Sequence, residues 1–328
     1  MPSGPAGLCL HNRPDIELQP ICPNTPKSSL ANGRRPYSRI MSSPHESPRQ
    51  RLRDLLAGDR CITMGSVYDP MSARIAEDIG YEAALMGGSL ASHALLAAPD
   101  LILITLTELA EQVGRCTRVS GVPIVVDGDH GYGNALNVAR AIEELDRAGA
   151  AAVTIEDTDL PRPFGPSGKA SLLPLQESVG KIRAAVRARG SAGPLIFGRT
   201  SAANLTTVED AIERFKAYEQ EGVDALFIPG LASREDLDRI SASTHLPLLL
   251  GGASGDVGDI GYLASRRVRA WSGGHQVFAV AIAALHQAMS SVFQGTVPSA
   301  LPGIAPKAMM DRLLHAAQYD AMTRDTLQ

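Results

Sequence analysis

The chain has 328 residues, of which 44% are hydrophobic and 20% are charged, which is enough apolar material for one large folded domain. Its formal net charge is −4 and its basic residues are scattered, so we expect no nucleic-acid partner. The four cysteines lack metal-ligand spacing, and no apolar run approaches the ~20 residues of a membrane helix. The sequence therefore predicts a cytoplasmic protein without a membrane partner.

Residues 1–49 differ in composition from the rest of the chain. They are rich in Pro, Ser, Asn and Arg and show no sustained period of 2 or 3.6 residues. This pattern predicts a disordered N-terminal extension, followed by a catalytic domain over residues 50–328. Translation that begins naturally at Met41 is one explanation of the extension, and a targeting role is the weaker one.

From Arg51 onward, short apolar runs alternate with longer helical patterns. The predicted strands are 62–67, 83–87, 123–127, 152–156, 195–199, 225–229, 246–250 and 268–272. The predicted helices between them include 70–79, 107–119, 135–148, 174–189, 208–221 and 234–241. Eight such βα units predict a (β/α)₈ TIM barrel of the α/β class. The alternative is an open doubly wound sheet, but its Gly-x-Gly-x-x-Gly turn is absent after the first strand.

Acidic residues follow two neighbouring strands of the predicted barrel. Asp127 and Asp129 end the third strand, and Glu156 ends the fourth. Active sites of such barrels lie at the carboxyl ends of the strands, so these carboxylates should meet and repel one another. A divalent cation such as Mg²⁺, which prefers oxygen ligands, would relieve the repulsion. The alternative is that the acids cap helices or pair with basic residues at the rim.

Other polar residues end predicted strands as well. Arg199 should reach the rim, where its guanidinium binds a carboxylate or phosphonate, or else pairs with the acids. His275 lies after two glycines and either contacts a substrate oxygen or only begins the last helix. Ser89 either binds a carboxylate or caps the next helix. Asp157 has a weaker claim to function than Glu156 and could hold a neighbouring loop instead.

Several catalytic motifs are absent from the sequence. There is no Gly-x-Ser-x-Gly elbow, no Walker loop and no His-Glu-x-x-His helix, which disfavours hydrolase triads, nucleotide kinases and zinc proteases. Lys169 and Lys181 do not end core strands, so a Schiff-base lysine is poorly placed. A metal-assisted reaction at a carbon acid fits the remaining residues better.

These residues carry a resemblance to a known superfamily. The motifs concerned are YDPMSAR at 68–74, MGGS at 86–89, DGDHGYGN at 127–134 and TIED at 154–157. From about Arg51 to near the C-terminus, the chain resembles the isocitrate lyase and phosphoenolpyruvate mutase superfamily. Segments such as LAAPD at 96–100 and GYGNALNV at 131–138 are most similar to its oxaloacetate decarboxylase branch.

The resemblance implies a barrel whose C-terminal helices pack on a neighbouring subunit, in a homodimer or homotetramer. It implies a Mg²⁺ cofactor, with Mn²⁺ as an alternative, and a small 2-keto dicarboxylate as substrate. The implied roles are as follows: Asp127 is the direct metal ligand, Asp129 and Glu156 act through metal-bound water, Ser89 holds the substrate carboxylate, Arg199 and His275 contact the substrate, and Asp69 supports the metal site. The implied reaction is decarboxylation of oxaloacetate to pyruvate through a metal-stabilised enolate.

The sequence also departs from the superfamily pattern. The loop at 160–175 contains no cysteine, which disfavours isocitrate or methylisocitrate cleavage. Ser201 stands where the decarboxylase branch usually has Asn, and 251–254 replaces its Thr-Tyr-Gly-Asn stretch. Phosphonopyruvate hydrolysis or mutation, cleavage of a substituted malate, and a catalytically silent keto-acid-binding protein therefore remain alternatives. The loop at 159–174 is long enough for a lid, although a static cover is equally compatible.

Overall fold

A parallel β-sheet surrounded by α-helices forms the part of the chain that the computed structural model describes, namely residues 46–162, 170–231, 233–252 and 258–327. The strands are β1 Ile62–Thr63, β2 Gly65–Ser66, β3 Ala84–Met86, β4 Ile124–Asp127, β5 Ala152–Glu156, β6 Leu195–Arg199, β7 Ala225–Pro229, β8 Leu248–Gly251 and β9 Val268–Ser272. Their order in the sheet is β1-β9-β8-β7-β6-β5-β4-β3-β2. Every pair is parallel, as expected for βα units.

The two edges of this sheet are consecutive pieces of chain. The backbone N–H of Met64 donates to Trp271 on β9, whereas the N–H of Gly65 donates to Ala83 beside β3. β1 therefore pairs with the last strand and β2 with the next one, and the sheet closes into a barrel. The predicted TIM barrel is confirmed, with one correction: the predicted strand 62–67 is divided in two at Met64.

Helices cover the outside of the barrel and follow it at the C-terminus. They are α1 Pro48–Ala57, α2 Pro70–Ile79, α3 Gly88–Leu96, α4 Leu106–Thr117, α5 Ala135–Arg147, α6 Leu175–Ala188, α7 Ala202–Leu205, α8 Val208–Gln220, α9 Arg234–Ser243, α10 Ile260–Ser265, α11 Gln276–Phe293, α12 Lys307–Leu313 and α13 Ala316–Leu327. α1 begins at Pro48, inside the predicted extension, because Ser47 caps its first turn by accepting from the Gln50 N–H. Residues 1–45 and the centre of the predicted lid, 163–169, lie outside the described residues.

The core consists of two apolar layers separated by the sheet. One layer fills the barrel and includes Val125, Ala152 and Phe197, and the other lies between strands and helices and includes Val126 and Val153. Because strand side chains alternate, each strand supplies both layers. The alternation also decides which residue at a strand end faces the barrel interior.

α11 is the most apolar helix at the surface. Its 18 residues have a mean hydropathy of 1.4 and none of them is buried, and by length and composition alone it could cross a membrane. The expectation that no apolar stretch approaches that length was therefore wrong. Val280, Leu285 and Phe293 are among its exposed side chains. An apolar face of this size requires cover of some kind.

Candidate active site

Three of the predicted site residues point into the barrel because of strand alternation. Val125 lies in the barrel interior, so Asp127, two residues later, faces the same way. Glu156 lies four residues after Ala152 and Arg199 lies two residues after Phe197, and both intervals are even, so these side chains also face inward. Glu156 and Arg199 are paired across β5 and β6, and Asp127 lies on the adjoining β4. The sheet therefore brings the two acids and the guanidinium together at one rim.

Arg199 is bound to both carboxylates. Its Nη1 donates to Asp127 Oδ2 at 2.7 Å, and its Nε lies 3.3 Å from Glu156 Oε2. The other Asp127 oxygen, Oδ1, accepts from Thr154 Oγ1 at 3.0 Å and from the Asp129 N–H at 3.3 Å. Burial disfavours the charged form of Asp127, but Arg199 and these hydrogen bonds lower its pKa nonetheless. Asp127 is thus held ionised.

Asp129 lies just beyond the strand, in a left-handed backbone conformation with φ of 47°. Its side chain lies over Gly88, where a Cβ would come within 2.5 Å of Oδ1. Its Oδ2 is buried and accepts no hydrogen bond from any described residue. Burial, together with Asp127 and Glu156, raises the pKa of Asp129 well above its usual range. A carboxylate in this position lacks a positive partner of its own.

The remaining predicted site residues are His275, Ser89 and Asp69. The imidazole of His275 packs against Gly87, where a Cβ would lie 2.8 Å from Cε1, and Ser89 Oγ is close to the same point. His275 is the N-cap residue of α11, but its side chain makes no capping hydrogen bond. Ser89 lies within the first turn of α3, whose N-cap residue is Gly87, so the capping interpretation of Ser89 was wrong. Asp69 caps α2 by accepting from the Ser72 N–H at 2.7 Å.

The sequence interpretation missed two residues of the site. Asp100 lines the same cavity as Asp127, and burial and the charge of Asp127 raise its pKa. It lies in a loop after α3 and not at the end of a strand, where catalytic residues of a barrel are expected. Thr154 donates to Asp127 from the interior of β5. A threonine two residues before Glu156 in an otherwise apolar strand was the available signal for that role.

A cavity of about 550 Å³ opens at this rim. The charged residues that line it are Asp100, Asp127, Asp129, Glu156, Arg162 and Arg199. The apolar residues that line it are Leu101, Ile102, Leu160, Pro161, Ala170, Leu205 and Pro229. Ser201 also contributes to the wall, at the position where the sequence departs from the family pattern. The volume suits a small polar ligand.

The charge balance of the rim fits a cation. Asp127 and Glu156 pair with the Arg199 guanidinium, and Asp129, which lines the same cavity, has a buried oxygen without a hydrogen bond from a described residue. In the described ranges, no three His, Cys, Asp or Glu side chains already converge as a ligand set. Mg²⁺ commonly takes one or two carboxylates and keeps several waters, which fits the ionised Asp127 beside Asp129 and Glu156.

Comparison with known proteins identifies the family. The profile of the phosphoenolpyruvate phosphomutase family matches residues 52–293, and the chain belongs to that family. It is 57% identical over 289 residues to a protein of Paraburkholderia xenovorans (strain LB400) named oxaloacetate decarboxylase. The aligned region covers 88% of this chain and 96% of that protein. A Bradyrhizobium sp. (strain ORS 278) protein of the same name is 47% identical, over 85% of this chain and 96% of its own length.

Solved structures agree with this assignment. The crystal structure of 2,3-dimethylmalate lyase, described as a member of the PEP mutase/isocitrate lyase superfamily, has a TM-score of 0.75 at 27% identity and covers 85% of this chain and all of that chain. Oxaloacetate acetylhydrolase in complex with the product oxalate has a TM-score of 0.73 at 27% identity, over 85% of this chain and 97% of that chain. The predicted superfamily is confirmed.

Proposed function

We propose that this chain decarboxylates oxaloacetate to pyruvate and CO₂. The observation that carries the proposal is the cluster of Asp127, Asp129 and Glu156 around Arg199 at the mouth of the barrel. Relatives at 57% and 47% identity, matched over nearly their whole length, bear the name oxaloacetate decarboxylase. A fold supports many chemistries, so the site residues carry more weight than the barrel itself.

The cofactor that fits this site is Mg²⁺, or Mn²⁺ in its place. Asp127 would hold it directly, and Asp129 and Glu156 would hold it through water. When bound, the cation supplies a Lewis acid for the keto oxygen at C2, where negative charge develops during the reaction. Asp69, which caps α2, would support this region from outside the cavity.

The chain's own residues bind and orient the substrate. Arg199 is fixed by Asp127 and Glu156 and presents a guanidinium to the cavity, where it binds a carboxylate. Ser89 holds the C1 carboxylate, and His275 contacts the substrate from the side of Gly87. With C1 and C2 held in this way, the C3–C4 bond breaks and CO₂ leaves. The electron pair of the broken bond forms the C2–C3 double bond of an enolate, with the negative charge on the C2 oxygen. Addition of one proton at C3 then yields pyruvate.

The assembly that we propose is a homodimer or homotetramer in which the C-terminal helices pack on a second copy. The support is α11, an 18-residue apolar helix with no buried residue in the single chain. Burial of such a face stabilises an interface by roughly 25 cal/mol for each Å² of apolar area. We also place the enzyme in the cytoplasm, where Cys61 and Cys116, both free and buried, would remain reduced.

The test is turnover by the purified protein. Pyruvate and CO₂ should form from oxaloacetate faster than with free Mg²⁺ alone, the rate should collapse with a chelator, and Mg²⁺ or Mn²⁺ should restore it. A panel that contains phosphonopyruvate and substituted malates, followed by phosphorus and proton NMR, covers the other activities of the superfamily. Turnover of one of these but not of oxaloacetate would overturn the proposal. Tight oxalate binding without any product would indicate a silent binding protein.

A further inference from the structure

The carboxylate of Asp157 is buried, although it takes no part in the proposed reaction. Ile155 lies in the layer between strands and helices, and Asp157 continues that outward-facing set, while Glu156 between them faces the cavity. Asp157 is only 1% exposed. A charge buried so deeply is costly without partners, so its contacts should serve a purpose.

Two side chains of α8, one turn apart, donate to this carboxylate. The Tyr218 hydroxyl lies 2.7 Å and Arg214 Nη1 lies 3.0 Å from Asp157 Oδ2. Tyr218 reaches this position because β6 has Gly198 beneath its ring, where a Cβ would lie 2.9 Å from the tyrosine Cδ2. The strand, the helix and the acid are therefore adapted to one another.

Arg214 also binds the chain that returns from the loop after β5. Its Nη1 donates to the carbonyl of Leu173 at 3.1 Å, and the Leu173 N–H donates to the carbonyl of Asp157 at 2.8 Å. The Asp159 N–H donates to the Ser171 carbonyl, also at 2.8 Å. We call residues 157–159 and 171–173 the loop base. One guanidinium thus holds both segments of the loop base.

The loop base is connected directly to the active site. The hydroxyl of Thr158 donates to Glu156 Oε2 at 3.0 Å, and Thr158 lines the cavity. Leu160 and Pro161, which come shortly after it in the chain, are among the apolar residues that line the same cavity wall. The position of the loop base therefore sets both the orientation of Glu156 and the shape of that wall.

We propose that Arg214, with Asp157 and Tyr218, is a positioning group of the active site: it fixes the loop base, and through Thr158 it fixes Glu156 and the cavity wall. This inference rests on the proposed function for its kinetic test. Residues that act behind the groups in contact with the ligands commonly contribute roughly 10- to 100-fold to affinity or activity.

The experiment compares Arg214→Gln and Arg214→Lys with the matched control Arg183→Gln. Arg183 is also an arginine in an ion pair, with Glu221, but it lies on the exposed face of α6. Arg214→Gln should raise KM for oxaloacetate and the Kd for oxalate by roughly tenfold, with a smaller change in kcat. Arg214→Lys keeps the charge and should recover most of the affinity. The control should match the wild type.

Hydrogen exchange supplies a readout that does not depend on turnover. In Arg214→Gln, the amides of Asp159 and Leu173 should exchange at least about tenfold faster, while amides of the distant strands β7 and β8 keep their protection. Uniformly faster exchange with unchanged oxalate affinity would mean a purely structural role and would overturn the proposal.

A milder variant covers the case in which Arg214→Gln does not fold. Tyr218→Phe removes only the hydroxyl that donates to Asp157, and it should shift KM and exchange in the same direction by smaller factors. Unchanged KM, oxalate Kd and exchange at Asp159 and Leu173 in a folded Tyr218→Phe protein would overturn the proposal. A wild-type enzyme that leaves oxaloacetate intact would contradict the proposed function instead, and the oxalate and exchange measurements would still decide the role of Arg214.

Discussion

Arg199 on β6 and Asp127 on β4 face each other across β5, with 2.7 Å between the guanidinium Nη1 and the carboxylate Oδ2. Neither is freely exposed, since their side chains are 18% and 15% accessible. The contact keeps the acid ionised and the guanidinium fixed in one orientation, and both conditions suit a site that binds a cation and an anionic substrate together.

Asp127→Asn tests this contact. The amide cannot replace the negative charge, so we expect kcat to fall by at least roughly 100-fold and Mg²⁺ affinity to weaken. Steady-state kinetics and isothermal titration with Mg²⁺ would measure the two effects. Asp311→Asn, which alters an exposed acid paired with Lys307 on α12, serves as the control. Wild-type metal affinity in Asp127→Asn would contradict the assignment of Asp127.

Gly88→Ala tests the close contact between the Asp129 carboxylate and the backbone of Gly88. The added Cβ would lie 2.5 Å and 2.9 Å from the two carboxylate oxygens, so Asp129 must move. We expect loss of most activity in a protein that still folds. Gly180→Ala is the matched control, because that glycine also lies in a helix but has open space around its Cβ position. The control should keep its activity and gain about 0.5–1 kcal/mol in free energy of unfolding, measured with urea.

His130 should make the stability of the protein depend on pH. Burial, followed by the charge of Lys181, lowers the pKa of His130 to about 4, although Asp159 acts in the opposite direction. Between the ordinary pKa of 6.5 and this value, the unfolded chain binds a proton at His130 that the folded protein does not bind. The free energy of unfolding therefore keeps the full contribution of the neutral imidazole above pH 6.5 and loses it as the pH falls toward 4.

The measurement for His130 is urea unfolding at pH 7 and pH 5. Removal of the imidazole in His130→Gln should reduce the change in free energy of unfolding between pH 7 and pH 5 by about 2 kcal/mol. His245→Gln, at an exposed position, should follow the wild type. Parallel pH profiles for the wild type and His130→Gln would show that His130 does not carry this effect.

Ser201→Asn tests the departure from the family pattern at the cavity wall. Ser201 lines the cavity, and a longer amide there takes space and adds a hydrogen-bonding group. We expect kcat/KM for a 2-keto dicarboxylate with a C3 alkyl group to fall more than kcat/KM for oxaloacetate. An enzyme that loses activity equally toward both substrates would place Ser201 outside the determinants of selectivity.

The apolar surface of α11 predicts association. Glu in place of both Val280 and Leu285, which are 63% and 57% exposed in the single chain, should prevent burial of this helix. Sedimentation velocity should then detect a smaller species than in the wild type. Gln287→Glu adds charge to a position that is already polar and exposed, and it should leave the assembly intact. A wild type that sediments as a monomer would contradict the proposed assembly.

Much of the site could be predicted because strand ends are readable from the sequence. The apolar runs before Asp127, Glu156 and Arg199 ended at the residues where the strands end, so alternation placed all three in the barrel. The prediction of Asp157 as a residue that holds a neighbouring loop also agrees with its contacts to Arg214 and the loop base.

Other features had no local signal. Asp100 reaches the cavity from a loop after α3, and only tertiary packing brings it there. The division of the first strand at Met64 depends on hydrogen bonds to Trp271 and Ala83, which lie on two different neighbours. A helix after Ser89 was expected, but its start was placed too late, because its first residues, Gly88 and Ser89, favour turns as much as helix starts.

Closure of the barrel at Met64 also has a consequence for folding during synthesis. Ile62 pairs with Ala270, so about 200 residues must leave the ribosome before the first strand can find its last neighbour. Until then the nascent sheet has two open edges, of the kind that recruit other strands and lead to aggregation. A chain shortened before Val268 would keep most of the catalytic side chains and still lack the closing strand, and we expect it to accumulate in the insoluble fraction.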